Sequence, residues 1–247
     1  MNAAPHDQQR LLDLQAMDTR LDQLAHRRKG LPEHAELAAH EARLAELRDL
    51  TVAATTEVSD IEREQAKAEA DVDQVRQRAE RDQSRLDSGQ VTSAKELESL
   101  QHEIASLLRR QGDLEDVQLE VMERLESAQA RVGELAAETE RVCAARDETV
   151  ARRDASYAEI DAEAATTGQL RSVLAGQIDA ALVTLYEKVR ESSGGVGAAA
   201  LHQRRCEGCR LELNNVDLGR FRAAPPDEVL RCEECRRILV RTDESGL

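Results

Sequence analysis

The chain has 247 residues, 34% of them charged, with one Phe, two Tyr and no Trp. So few aromatics exclude an ordinary globular core of this length, and the abundance of Ala, Glu, Arg, Leu and Gln points to long helices. The net charge of −15 resides in residues 1–195, which hold 25 Lys and Arg against 40 Asp and Glu; an acidic stretch of this kind is a poor general binder of phosphate backbones, so any nucleic acid would have to meet the C-terminal part.

The first residues, MNAAPHDQQR, carry no apolar segment of the kind a secretory leader needs, and no run reaches the roughly 18 apolar residues of a membrane span. The expected setting is the cytoplasm, without a membrane. Five cysteines in that setting are expected to be reduced and to serve a metal rather than disulfides.

From Gln8 to Arg28, Leu14, Met17, Leu21 and Leu24 recur at intervals of three and four, which predicts a helix. Gly30 and Pro32 interrupt it, so a kink or short break is expected there. The next stretch holds an apolar repeat of seven. Its first core series runs Leu37, Leu44, Thr51, Val58, Gln65, Val72, Ala79, Leu86, and its second runs His40, Leu47, Ala54, Ile61, Ala68, Val75, Asp82. A strict period of seven winds helices around a partner, and the arm from Glu33 to Asp87 spans roughly 80 Å.

The run DSGQVTSAKE, 87–96, breaks this helix. Gly89 tolerates a left-handed backbone, and Ser93 stands three residues before Glu96, the spacing of a capping box. The repeat then resumes with Leu97, Ile104, Gln111, Gln118, Leu125, Val132, Thr139 and with Leu100, Leu107, Leu114, Val121, Ala128, Leu135, Val142. The chain is therefore expected to fold back here, setting residue i opposite about 183 − i and Gln65 near Gln118 as a register pair.

The repeat fades after Thr149, and Thr166-Thr167-Gly168 reads as a joint. A helix with Leu170, Val173, Leu174, Ile178, Leu182, Leu185 and Tyr186 follows, ended by Ser192-Ser193-Gly194-Gly195. The predicted fold class is mainly α: a long kinked antiparallel coiled-coil hairpin over 1–168, turning near 87–95, then a helix plus a small C-terminal zinc ribbon over 169–247.

Cys206-x-x-Cys209 and Cys232-x-x-Cys235, 22 residues apart, carry the chemistry. Each pair turns tightly enough to offer two thiolates to one ion, and two pairs make the tetrahedral four-sulfur set that suits Zn²⁺. Disulfides, a redox pair and an iron–sulfur cluster are the alternatives. With four cysteine ligands no position is open for a catalytic water, so one structural zinc per chain is expected.

Around the cysteines, Arg204, Arg205, Arg210, Arg220, Arg222, Arg231, Arg236 and Arg237 are candidates for phosphate contact, with Phe221 the one aromatic available for stacking on bases. Acidic residues are interleaved, so neutralisation of the thiolates and a mixed solvated surface is the plainer reading. At the turn, Lys95, Glu96, Glu98, Gln101 and His102 alternate with Leu97 and Leu100, which makes them candidates for a partner-binding tip. No catalytic set is expected: His102-Glu103 lacks a second histidine at the right spacing, GGVG at 194–197 lacks the Lys and Ser/Thr of a phosphate loop, and Cys143 reads as a packed thiol.

Three passages, VTSAKELESLQHEI (91–104), CEGCRLEL (206–213) and CEECRRILV (232–240), resemble a bacterial family of coiled-coil proteins with a C-terminal C4-type zinc ribbon. The resemblance covers essentially the whole chain. It implies a kinked helical hairpin with a small ribbon, and a nucleic-acid-binding or regulatory role, some members being linked to flagellar gene control and to a sigma factor. In that family the residue after the last cysteine is often Gly; here it is Arg236. The expected function is a non-enzymatic adaptor without a small-molecule substrate. Its coiled coil would engage a protein, within the transcription machinery on the family's analogy, and its ribbon would meet RNA or DNA. The alternative is a structural or chaperone-like coiled-coil protein that binds no nucleic acid.

Overall fold

A computed structural model describes all 247 residues. Its helices are α1 (Pro5–Lys29), α2 (Glu33–Asp87), α3 (Ala94–Ala175), α4 (Ala180–Ser192) and α5 (Asn215–Ala223). Four short strands accompany them: β1 (Ala198–His202), β2 (Arg205–Cys206), β3 (Leu230–Arg231) and β4 (Ile238–Arg241). The chain separates into two compact units, Ala35–Val150 on one hand and Met1–His34 with Ala151–Leu247 on the other.

The unit Ala35–Val150 is the coiled-coil hairpin. Every residue of both predicted core series, on α2 and on α3, is buried or half-buried. Leu47 and Ala54 pack with Leu135, flanked by Val132 and Val142, and Ile61 packs with Val121 and Ala128. These partners match the expected register. Each fully buried Leu or Ile contributes roughly 1.5–3 kcal/mol relative to exposure.

Gly89 takes φ +67° at the turn, where a side chain would be strained. Val91 folds back into the seam at 8% exposure and packs with Leu100 and Ile104 beside Leu86 and Leu97, so the turn carries its own small core. Ser93 immediately precedes α3 and its carbonyl accepts from Leu97 N–H at 3.0 Å. Gln65 and Gln118 are both half-buried, and Gln65 donates to Glu69 of its own helix at 2.9 Å rather than to Gln118. Three ion pairs cross the seam: Arg43–Glu138, Glu64–Arg124 and Arg78–Glu103. Exposed pairs of this type contribute little to stability, so they favour the register more than they stabilise the hairpin.

In the other unit, α1 buries Leu11 and Leu14 against Ile178, Leu182, Tyr186 and Val189 and against Ala198, Ile238 and Val240 of the sheet. The first residues join the ribbon directly. Ala3 N–H donates to Asp227 O at 2.7 Å, and Val229 N–H donates to Met1 O at 3.0 Å. A helical stripe announces a buried face without saying what covers it, and here the cover is α4 and the sheet.

Thr166–Gly168 is not a joint. α3 runs through it to Ala175, with Thr166 Oγ1 donating to Ala162 O at 3.0 Å in regular helical fashion. The interruption falls at Gly176, and Asp179 starts α4 by accepting from Leu182 N–H at 2.9 Å. The single helix expected over Leu170–Tyr186 is therefore the end of α3 plus most of α4, and Leu170 and Val173 are exposed.

A polar network is buried among α1, α3, α4 and the start of β1. Asp18, 2% exposed, accepts from Arg171 Nε at 2.8 Å and Nη2 at 3.1 Å, and from Tyr186 Oη at 2.7 Å. Gln15 Oε1 accepts from Gly197 N–H at 2.6 Å while its amide donates to Gly195 O at 3.0 Å. Burial, aided by the Asp18 carboxylate, holds the Tyr186 phenol above its ordinary range. Gly197 sits so close that a Cβ there would lie 2.7 Å from Tyr186 O, which accounts for the glycine in GGVG without any phosphate.

Candidate metal centre

The ribbon sheet has the order β2-β1-β4-β3, with β1 parallel to β4 and antiparallel pairs at both edges. Each cysteine pair leaves this sheet in the same turn. Arg210 N–H donates to Cys206 O at 2.7 Å, and Arg236 N–H donates to Cys232 O at 2.9 Å. Cys206 N–H reaches Leu211 O at 3.1 Å, and Cys232 N–H reaches Arg237 O at 3.0 Å. Closing the turn this way puts Arg210 at φ 62° and Arg236 at φ 63°, the left-handed region, which costs an L-residue roughly 1–2 kcal/mol. The second turn therefore closes as the first does, with arginine where the resembled family often has glycine.

All four Sγ atoms lie within 4.8 Å of one another, and the pairs Cys206–Cys235 and Cys209–Cys232 are each 3.9 Å apart. Tetrahedral Zn²⁺ with bonds near 2.3 Å sets its sulfurs about 3.8 Å apart, whereas a disulfide requires about 2.05 Å. The site fits one structural zinc, and all four thiols are free rather than joined in disulfides. Cys206 and Cys232 are fully buried. Burial pushes both thiols above their ordinary range, opposed by the N–H groups of Gly208 and Cys209 for the first and of Glu234 and Cys235 for the second. Burial also raises Cys235, but the Arg237 N–H, the Cys232 thiol, the Arg237 side chain and the Cys209 thiol together outweigh it and leave that thiol lowered. A cation is what makes four thiolates tolerable in such a place, and four sulfurs complete a tetrahedron, leaving no open position.

The remaining candidate residues separate into groups. Arg237 is committed to the fold: its guanidinium donates to Val196 O at 3.0 Å, Gly208 O at 3.1 Å and Ser193 O at 2.8 Å. Arg220 pairs with Glu233 at 2.6 Å, Arg204 donates to Asn215 Oδ1 at 2.6 Å, and Arg236 stands 3.9 Å from Glu233. Arg231 donates to Arg236 O at 2.9 Å. Arg205, Arg210 and Arg222 are exposed and meet no carboxylate. Phe221 is 2% exposed and packs with Leu213, Leu218 and Leu230, so the aromatic expected to stack on bases belongs to the ribbon core. Lys95, Glu96, Glu98, Gln101 and His102 are all exposed at the start of α3.

Two residues hold the centre in ways the sequence does not announce. One is Arg237 in its bridging role. The other is Gly208, where a Cβ would lie 2.8 Å from Arg237 Cδ and 3.0 Å from Ala199 Cβ. The only sequence signal is that the first pair reads C-E-G-C and the second C-E-E-C. Gly208→Ala is expected to cost about 1–3 kcal/mol through overpacking and to weaken zinc retention, measured by competition with a chromogenic chelator; Glu234→Ala, at the equivalent exposed position, should leave retention unchanged.

A helical hairpin accompanied by a closed four-thiolate ribbon defines a coiled-coil zinc-ribbon protein. Residues 14–194 match the CT398-like coiled coil hairpin domain and residues 205–239 the C4-type zinc ribbon domain, and the chain belongs to the CT398-like coiled-coil hairpin family. It is 38% identical to the Mycobacterium tuberculosis protein Rv2229c over 98% of both chains. A solved Mycobacterium smegmatis structure is similar at 37% identity and TM-score 0.83, covering 98% of this chain and 100% of that one. CT398 from Chlamydia trachomatis, at 19% identity and TM-score 0.50 over 96% of this chain and 98% of that one, shares the fold. No helix is long and apolar enough to cross a membrane.

Proposed function

We propose that this chain is a non-enzymatic cytoplasmic adaptor, in which the hairpin engages a protein partner and the zinc ribbon contacts nucleic acid or a nucleic-acid-bound machine. The observation that carries the ribbon half is the group of exposed arginines that meet neither a carboxylate nor another hydrogen-bond acceptor, Arg205, Arg210 and Arg222, on a metal centre with no position for catalysis. The hairpin half rests on the exposed, mixed-charge residues of the turn and on the acidic surface beyond it. Fixed cations on a small rigid scaffold suit phosphate contact, and phosphate contact has a signature in salt.

The test is the salt dependence of retention on single-stranded RNA and on duplex DNA. Arg205→Ala with Arg222→Ala should weaken binding and reduce the slope of log affinity against log salt by about 0.7 per lost contact on single strands and 0.9 on duplex. Arg237 is unsuitable for this experiment, since removing it releases three backbone carbonyls. If the intact zinc-loaded protein shows no retention at low salt, the nucleic-acid half is wrong and the structural or chaperone-like reading takes its place.

A further inference from the structure

The two flanks of the hairpin seam are built differently. Residues one position before a core residue form one flank, and those one position after form the other. All three seam-crossing ion pairs, Arg43–Glu138, Glu64–Arg124 and Arg78–Glu103, lie on the leading flank. The trailing flank is crossed by none. From Val52 to Asp73 on α2 and from Leu108 to Gln129 on α3, its positions carry no Lys or Arg. Five carboxylates stand there: Asp73 pairs with Arg76 of its own helix, while Glu62, Glu69, Glu115 and Glu126 are exposed and meet no cation.

Large apolar side chains are exposed on the same flank: Val52 at 62%, Leu108 at 57%, Leu119 at 58% and Met122 at 44%. The leading flank exposes Leu50 at 37% and Val117 at 48%. The trailing flank also opens into a groove at either end, one lined by Val52, Leu44 and Ala136 with Arg48 and Arg146, and the other by Leu108, Ala79 and Ile104 with Arg76, so its cations stand only at the ends of the acidic stretch. The corresponding groove on the leading flank has the Glu64–Arg124 pair at its edge.

Resting on the adaptor reading above, we propose that the trailing flank is the docking face of the hairpin and that its occupant is a cationic amphipathic helix of a partner protein. The stretch from Val52 to Asp73 spans about 30 Å, the length of a helix of about 20 residues. An apolar stripe laid over Leu119 and Met122 would cover side chains that the fold leaves in water, and methionine adapts to such contacts. Lysines or arginines beside the stripe would meet the four carboxylates. A second copy of this chain fits poorly, because joining two trailing flanks at their centres sets the carboxylates of one stretch against those of the other, with Arg48 and Arg76 only at the ends. Glu98 and Gln101 of the turn continue the same flank, so the exposed turn residues lead onto it.

The test uses the full-length, zinc-loaded protein and a synthetic 20-residue peptide with leucines on one helical face and lysines on the other. A scrambled peptide of the same composition is the control, and fluorescence anisotropy at physiological salt is the readout. The amphipathic peptide should bind at least tenfold more tightly than the scrambled one. Glu62→Gln, Glu69→Gln, Glu115→Gln and Glu126→Gln together should weaken it at least tenfold. Removing four carboxylates from the leading flank, by Glu57→Gln, Asp71→Asn, Asp113→Asn and Glu120→Gln, should weaken it less than threefold. Leu119→Ser with Met122→Ser should weaken it at unchanged charge, with helicity by circular dichroism confirming the fold of each variant. Equal losses from both flanks, or equal binding of the two peptides, would mean acidity alone and overturn the proposal. A dimer in sedimentation that the trailing-flank variants dissolve would also overturn it, by making the face an interface between copies. None of these outcomes alters the salt dependence on nucleic acid, so the two proposals fail separately.

Discussion

Cys206→Ser is expected to abolish binding of the one zinc per chain and to unfold the ribbon while sparing the hairpin. Cys206 is fully buried within the ribbon core, beside Leu201, Leu213 and Leu239. Structural zinc contributes on the order of 10 kcal/mol or more to small domains of this kind, far above what a core this size supplies. Ala35–Val150 holds no zinc ligand and has its own seam, so most helicity should persist. Metal analysis and circular dichroism on the same sample check both halves. Chelation at neutral pH should reproduce the result, and acid should as well, because thiolates must be deprotonated to hold the ion. Stoichiometric iron with a visible absorption band would contradict the assignment.

Arg171→Met should cost about 3 kcal/mol. The substitution keeps much of the stem's apolar contact but leaves the Asp18 carboxylate, 3% exposed as a side chain, without its bidentate partner. Removing one member of a buried pair costs roughly 3–5 kcal/mol, because the other charge stays buried. The lower end applies here, since Arg190 Nε remains 3.6 Å from Asp18 and Tyr186 continues to donate. Asp18→Asn with Arg171→Met should recover part of the loss. Denaturant unfolding followed through the Tyr186 environment measures both variants, and the hairpin unit should unfold as in the parent. If the single variant loses less than about 1 kcal/mol, the network is a surface feature and does not hold α1 to α4.

The hairpin was legible because its signal is periodic and local. Apolar residues at a strict spacing of seven, a glycine at the turn and a serine before the next helix each act within a few residues. The metal centre was legible because ligand spacing encodes the geometry that zinc requires. What escaped was non-local. Nothing in MNAAP announces that Ala3 and Met1 bond to the backbone near Asp227, since backbone pairing carries little side-chain code. Leu11 and Leu14 announce a buried face but not the sheet that covers it. Thr166-Thr167-Gly168 has turn composition and is helical all the same, because propensity is weak against a helix continuous on both sides. Arg237 reads from the sequence as an arginine that neutralises the thiolates or meets phosphate, whereas its place near Cys235 lets it bond three carbonyls from two loops. Phe221 was assigned to bases by being the lone aromatic, yet it is the largest buried side chain in the ribbon core.

The most direct test of the adaptor is site-specific photo-crosslinking in cells from two positions of the full chain, Leu119 on the trailing flank and Arg222 on the ribbon. An adaptor predicts protein adducts from Leu119 and nucleic-acid adducts from Arg222, with the Arg222 adducts lost in the Cys206→Ser background and the Leu119 adducts retained. Nucleic acid recovered from neither position, with protein adducts from both, would contradict the adaptor and leave a coiled-coil interaction protein whose zinc serves only to fold its ribbon.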